Sequence, residues 1–315
     1  MQAAILSSST LGDGLLMLTA AFHLQQQGYR VVFFHRLMHE LKAFFPFYEF
    51  QSYPENFSTR DLQAFDLVLM EYQKIPPIVD FFEKRQNLKN LFVWHPRKNP
   101  IQLGGQDKLF SDKKNMVQNI LNELQTLLKQ KTLLPCNGLI APSHLKYQKY
   151  PRRILLAPTS NDPKKNWRRP RFFHLALCLR QKGFQPELIM APHEKLFFAD
   201  EAVKYALPLQ TFPGYFELAA YIYESGFLIG NDSGPVHLAS NLSIPTLTIT
   251  GNKRKMRLWQ KAFFPGKLLF PPGFLPNFCC LKIKDQYWPY FISVKKALKT
   301  FLQLYKLFHP NFSKS

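Results

Sequence analysis

The chain has 315 residues, 46% of them hydrophobic, and a formal net charge of +20 from 41 Lys/Arg against 21 Asp/Glu. That length and apolar share suit two cores of ordinary domain size, and without an apolar run of about 18 residues no transmembrane helix is predicted. The charge attracts nucleic acid, anionic membrane or anionic small molecules alike, but no zinc-finger spacing or RNA-recognition motif accompanies it, so a nucleic-acid partner is not expected.

The start, Met1-Gln2-Ala3-Ala4-Ile5-Leu6, has no basic region, so no leader is predicted, and Ala3 to Leu6 reads as a strand. Ser8-Ser9-Thr10-Leu11-Gly12-Asp13-Gly14 follows, then a helix over Leu15 to Gln27 stopped by Gly28. A turn between a first strand and a first helix lies where open α/β sheets bind ligands. It has neither Gly-x-Gly-x-x-Gly nor a Walker lysine. A carboxylate is a poor phosphate contact, so Asp13 suits a substrate hydroxyl, or else it caps the helix. Val31 to Phe34, Asp66 to Met70, Asn90 to Trp94 and Gly138 to Ala141 are further predicted strands. Asn115 to Leu128 is a predicted helix, with Met116, Ile120, Leu124 and Leu127 on one face. His35 and His39 lack companion ligands and read as surface or partly buried residues. Strands alternating with helices predict a parallel sheet covered on both faces.

Pro142 to Pro151, polar and basic between prolines, reads as a linker. The pattern then restarts with strand Arg153 to Ala157, and the charge rises: residues 1–150 carry 17 Lys/Arg against 12 Asp/Glu, a net of +5, and residues 151–315 carry 24 against 9, a net of +15. The loop Ala157-Pro158-Thr159-Ser160-Asn161-Asp162-Pro163-Lys164-Lys165-Asn166-Trp167 offers hydroxyls, backbone N–H groups and a lysine, which suit a diphosphate; a plain basic surface loop is the alternative. A helix from Pro170 to Lys182, a strand from Glu187 to Met190 and His193-Glu194 come next. Glu194 stands where a ribose-binding carboxylate is commonly found, or is simply solvated. Strands Phe227-Leu228-Ile229 and Ile244 to Ile249 flank the turn from Gly230 to Ser240. Pro235 fits the first position of a short helix that Asp232 or Ser233 can cap, and its free N–H groups would receive an anion. An ordinary capped turn is the other reading. Ser293 to Phe308 is a basic amphipathic helix, with Val294, Ala297, Leu298, Phe301, Leu302, Tyr305 and Phe308 at helical spacing between lysines. It fits either a membrane surface or packing against the protein. Cys136, Cys178, Cys279 and Cys280 show no metal or disulfide spacing and fit a reducing cytoplasm.

Asp232-Ser233-Gly234-Pro235-Val236-His237-Leu238 closely resembles the Asp-Thr-Gly-x-x-His-Leu signature of the ADP-heptose:lipopolysaccharide heptosyltransferases, glycosyltransferase family 9, with serine in place of threonine. The resemblance implies an α/β fold of two facing Rossmann-like domains (GT-B type). Residues 1–150 would bind acceptor and 151–292 the nucleotide-sugar, while 293–315, a basic helix and tail, would cross back to the first domain. The family's Leu-Gly-Asp turn falls on Leu11-Gly12-Asp13, which makes Asp13 the implied general base; Gly14 departs from the usual apolar residue. A lysine two residues before a tryptophan falls on Lys165 and Trp167, and the ribose-contacting glutamate on Glu194. The implied donor set is Thr159, Ser160, Lys165, Glu194, Asp232, Ser233, Gly234 and His237, the last supporting the turn rather than reacting. The acceptor set is Thr10, Gly12, His95, Arg97 and Lys98. After Gly251, Asn252-Lys253-Arg254-Lys255 replaces the family's proline- and aspartate-containing loop, which leaves the donor sugar open.

The expected reaction is inverting sugar transfer from a nucleotide-sugar, ADP-heptose first, to a lipid-linked anionic saccharide of the lipopolysaccharide inner core. No cofactor is expected, and no Asp-x-Asp pair stands at a strand end to hold a metal. The expected protein is a cytoplasmic monomer, peripheral on the cytoplasmic face of the inner membrane and drawn to its anionic surface. The rivals are a family member with another donor, a nucleotide-sugar-binding protein without catalysis, and an epimerase on the same fold. An epimerase would need further acid–base residues beside Asp13.

Overall fold

The computed structural model describes residues 1–53, 59–72, 88–96, 104–251, 266–273 and 287–310. The chain divides after Pro142 into two units, each built on a six-stranded sheet. The first holds β1 (Gln2–Leu6), β2 (Arg30–Phe34), β3 (Glu49–Gln51), β4 (Leu67–Glu71), β5 (Leu91–His95) and β6 (Lys108–Leu109), all parallel, in the order β3-β2-β1-β4-β5-β6. Its helices include α1 (Leu11–Gln26), α2 (Thr59–Gln63) and α3 (Met116–Leu127). Ala3 to Leu6 and Leu67 to Glu71 are buried without alternation, as strands covered on both faces must be. The strand order reverses between β1 and β4, so the carboxyl ends of these two strands mark the switch point where such sheets take ligands.

The second unit repeats this plan with β7 (Tyr150–Ala157), β8 (Gln185–Met190), β9 (Leu209–Thr211), β10 (Ser225–Asn231), β11 (Thr246–Ile249) and β12 (Gly266–Leu269), ordered β12-β11-β10-β7-β8-β9. Read from the other edge, this is the first unit's order, and the switch point falls between β7 and β10. Its helices include α4 (Arg169–Gln181), α5 (Ala199–Lys204), α6 (Tyr215–Tyr223), α7 (Gly234–Asn241) and α8 (Val294–Phe308).

Two expectations are corrected. Residues 138–141 form no strand. Gly138 has φ +75, and a Cβ there would lie 2.1 Å from the Tyr48 hydroxyl, which donates to the Asn137 carbonyl at 3.0 Å. The chain passes tightly under that ring, and the sixth strand is the two-residue β6, too short to show periodicity. The second correction is α8, which was expected to return to the first domain. It buries Ala297, Phe301, Leu304 and Tyr305 in the second unit's own core, against α4, β11 and β12. Phe184 meets Phe301 and Tyr305 ring to ring at 5.2 and 4.9 Å, and Phe227 meets them at 5.5 and 5.3 Å. The apolar stripe therefore finds its partners locally, and Lys295, Lys296, Lys299 and Lys306 stay exposed.

Candidate functional site

The first unit's candidate cluster begins where β1 ends. Ser7 and Ser8 are buried, and the chain turns into α1 at Thr10, which is extended and accepts the Asp13 N–H on its hydroxyl at 3.3 Å. The helix thus starts four residues before the predicted point, and Leu11-Gly12-Asp13 forms its first turn. Thr10 is the cap, so Asp13 is not. A carboxylate in the first turn is favoured by the helix dipole, and Asp13 Oδ2 accepts a 2.6 Å bond from Ser8 Oγ. Gly12 and Asp13 remain partly exposed and Thr10 exposed.

His35, read from the sequence as surface or partly buried, is fully buried. Its Nδ1 accepts from the Leu37 N–H at 3.0 Å, so Nε2 carries the proton that it shares with the Thr10 carbonyl at 3.1 Å. Burial lowers its pKa and favours this neutral form. A Cβ on Gly14 would fall 2.8 Å from His35 Nε2. The imidazole fills the space of the side chain missing at 14, which explains the glycine.

His95, expected at the acceptor, is enclosed at the end of β5. It is fully buried, its Nε2 lies 3.5 Å from Asp107 Oδ2, and its ring stacks on Tyr72 at 4.8 Å. Its described neighbours hold it at the end of β5. Arg97, Lys98 and the Asn252 to Lys255 stretch lie outside the described residues. Glu71, at the end of β4 and passed over in the sequence, is buried and accepts the Ser8 N–H at 3.2 Å. Its only sequence signal is an acid closing the apolar run Leu67-Val68-Leu69-Met70.

The second unit's candidate cluster lies at the carboxyl ends of β7 and β10. Asn231 joins them: its Nδ2 donates to the Pro158 carbonyl at 2.6 Å, and its Oδ1 accepts the Trp167 N–H at 2.9 Å. Trp167 is buried and donates from its indole to the Ile292 carbonyl at 3.0 Å. Asp162 accepts the Lys164 N–H at 3.0 Å and opens the turn Pro163–Lys165. This folds the loop back over β10 and brings Lys165 Nζ within 3.1 Å of Asp232 Oδ2, while His237 Nε2 lies 3.2 Å from Asp232 Oδ1. Burial by itself would raise the Asp232 pKa, but the bond and charge of His237 and the charge of Lys165 outweigh it and hold the carboxyl well below the usual carboxylate range.

Asp232 therefore anchors two basic groups and does not cap α7. Ser233 occupies the cap position, with its hydroxyl turned back to the Asn231 carbonyl at 3.3 Å. No side chain caps the first turn of α7; Pro235 has no N–H and the Val236 N–H donates to the Ser233 carbonyl at 3.1 Å, which leaves the Gly234 N–H as the leading donor without an intrahelical partner. Thr159 Oγ1 donates to Glu194 Oε2 at 2.9 Å, and the Ala191 N–H donates to the same oxygen at 3.0 Å. Ser160 Oγ bonds Asn166 Oδ1 at 2.7 Å and the Asp162 carbonyl at 2.8 Å. Beside them opens a cavity of about 520 Å³ lined by Thr159, Trp167, Arg169, His193, Glu194 and Phe197. Its volume lies in the range of small-molecule sites. An uncapped helix start, a lysine and a cavity edged by a carboxylate can together hold a nucleoside diphosphate.

Thus the structure brings together Lys165, Asp232 and His237, and separately Thr159 and Glu194, within one unit, while Thr10, Gly12 and Asp13 share the first turn of α1 in the other. The sequence reading gave no role to Asn231, although it lies in the quoted turn.

Residues 112–261 match the family model described as glycosyltransferase family 9 (heptosyltransferase). No curated protein sequence matches the chain. Among solved structures, it is similar to the ADP-heptose lipopolysaccharide heptosyltransferase II of E. coli, with a TM-score of 0.71 at 13% identity over 98% of this chain and 100% of that one. It is also similar to the E. coli heptosyltransferase WaaC with ADP, with a TM-score of 0.72 at 14% identity over 96% and 99%. A family 9 glycosyltransferase from Veillonella parvula gives a TM-score of 0.71 at 15% identity over 96% of each chain. At such identities the likeness establishes the fold, the GT-B fold of the heptosyltransferases.

Proposed function

We propose, from the match of residues 112–261 to the glycosyltransferase family 9 (heptosyltransferase) model, that the chain is an inverting glycosyltransferase that moves heptose from ADP-heptose to a lipopolysaccharide inner-core acceptor. The observation that carries the donor half is the Lys165–Asp232–His237 cluster at the uncapped start of α7. In this reading Lys165 and the N–H groups around Gly234 hold the diphosphate, and Thr159 and Ser160 line its approach. Glu194 keeps Oε2 on its own turn and offers Oε1 to the ribose hydroxyls. The ADP held by the E. coli structure of the same fold makes ADP the first nucleotide to test.

The reaction is a displacement at the anomeric carbon through an oxocarbenium-like transition state. Asp13 takes the proton of the acceptor hydroxyl while that oxygen forms the new glycosidic bond. The bond to the diphosphate breaks, and its electron pair leaves on the phosphate oxygen, where Lys165 and the α7 N–H groups stabilise it. The proton on Asp13 then passes to solvent, and the products are the glycoside and the nucleoside diphosphate. No step calls for a metal. Thr10 and Gly12, in the same turn as Asp13, border the acceptor hydroxyl.

A product assay with ADP-heptose and inner-core acceptor tests the whole reading, and a thermal-shift panel of ADP, UDP, GDP and CDP tests the nucleotide. ADP should give the largest stabilisation. A larger shift with another nucleotide would replace the donor, and no shift with any would overturn the donor site.

The membrane surface is the second partner, favoured by the exposed lysines of α8 and the basic half of the chain. The protein should co-sediment with anionic liposomes at low salt and release near 0.5 M, where screening shortens to a few ångströms. Equal retention on neutral liposomes would show hydrophobic insertion instead.

A further inference from the structure

Glu71 is an expensive residue to bury, because a carboxyl loses its hydration unless hydrogen bonds replace it. It ends β4 at 2% exposure, on the strand that pairs with β1 at the sheet's switch point. Its Oε2 accepts the Ser8 N–H at 3.2 Å and faces Ser7 Oγ at 3.4 Å, so it grips the segment that leaves β1. The same Ser8 donates its hydroxyl to Asp13 Oδ2 at 2.6 Å. One serine therefore links two carboxyl groups, by its amide to Glu71 and by its hydroxyl to Asp13.

We propose that Glu71 is a positioning residue for the base: it fixes Ser8, and Ser8 fixes the rotamer of Asp13 so that Oδ1 is left for the acceptor hydroxyl. This rests on the reading of Asp13 as the base. The electrostatics agree with it. Burial first, and the nearby Asp13 charge second, push the Glu71 carboxyl well above the usual carboxylate range, against smaller lowering effects from Ser8 and Ser7. That favours an uncharged Glu71, which avoids like-charge repulsion with the neighbouring Asp13 carboxyl. His35, from the segment after β2, also faces Asp13, and burial favours its neutral form. The uncharged Glu71 still accepts the Ser8 N–H, which a leucine at 71 would leave without that partner.

The test compares Glu71→Leu, Glu71→Gln, Ser8→Ala and Asp13→Asn in the donor–acceptor assay, with ADP affinity by calorimetry and folding by circular dichroism. Glu71→Leu should lower kcat about 10–100-fold, the scale of a misplaced reacting group, with ADP affinity unchanged. Glu71→Gln keeps the acceptor oxygen without a charge and should recover most of that loss, which a role in filling space alone would not predict. Ser8→Ala should lower kcat in the same way, and it carries the test if Glu71→Leu does not fold. Turnover within about threefold of the parent in folded Glu71→Leu or in Ser8→Ala, with Asp13→Asn inactive, overturns the positioning role and leaves the base intact. Undiminished turnover in Asp13→Asn removes the base, and the positioning role with it.

Discussion

Asp13→Asn should lower turnover by about 10²–10⁴-fold, the range for losing a general base, and leave ADP affinity as it is. Asparagine keeps the size and the acceptor oxygen for Ser8 Oγ, and Thr10 remains the cap of α1, so the fold has no reason to change. The donor contacts proposed for Lys165, Glu194 and α7 all lie in the other unit. Turnover and ADP calorimetry on one preparation, with circular dichroism as the fold control, decide the matter. Turnover within about threefold of the parent would leave Asp13 as a first-turn carboxylate serving only the helix dipole.

Lys165→Ala should weaken ADP binding about 5–150-fold, the equivalent of about 1–3 kcal/mol for hydrogen bonds to a charged group. The ammonium has three donors and gives Asp232 one of them at 3.1 Å, which leaves capacity for phosphate oxygens. Its side chain is 44% exposed, so the ion pair is well screened and its loss should change fold stability by less than about 1 kcal/mol. Asp232 keeps His237 as a partner in the variant. A carboxyl held low in the folded state contributes stability that is present above its unfolded value of about 3.9 and is lost as pH falls towards the folded one. Asp232 is such a group, so across pH 5–8 it stays ionised. An acid limb in turnover would then not come from Asp232. Unchanged ADP affinity by calorimetry in Lys165→Ala would remove this lysine from the donor site.

The sequence by itself determined the alternation of strands and helices, the repeat of that pattern after the linker, and the two loops on which the chemistry is placed. These are local properties: an apolar run makes a buried strand, a proline and a small capping residue start a helix, and their spacing survives whatever packs on them. Asp232 was legible as part of the polar turn after an apolar strand, while Lys165 and His237 were named by the resemblance of their segments to the heptosyltransferase signature. The tertiary structure alone decided which side chains meet across strand ends. Asn231 reaches Trp167 64 residues earlier, and Glu71 reaches Ser8 63 residues earlier, because β10 lies beside β7 and β4 beside β1. Burial was equally hidden. His95 and His35 stand at or just beyond strand ends, where a sequence reads as open, yet Asp107 and Tyr72 enclose one and the gap at Gly14 takes the other. The helix at the end of the chain shows the limit of periodicity: the spacing fixes which face is apolar, and only the rings of Phe184 and Phe227 fix what that face covers.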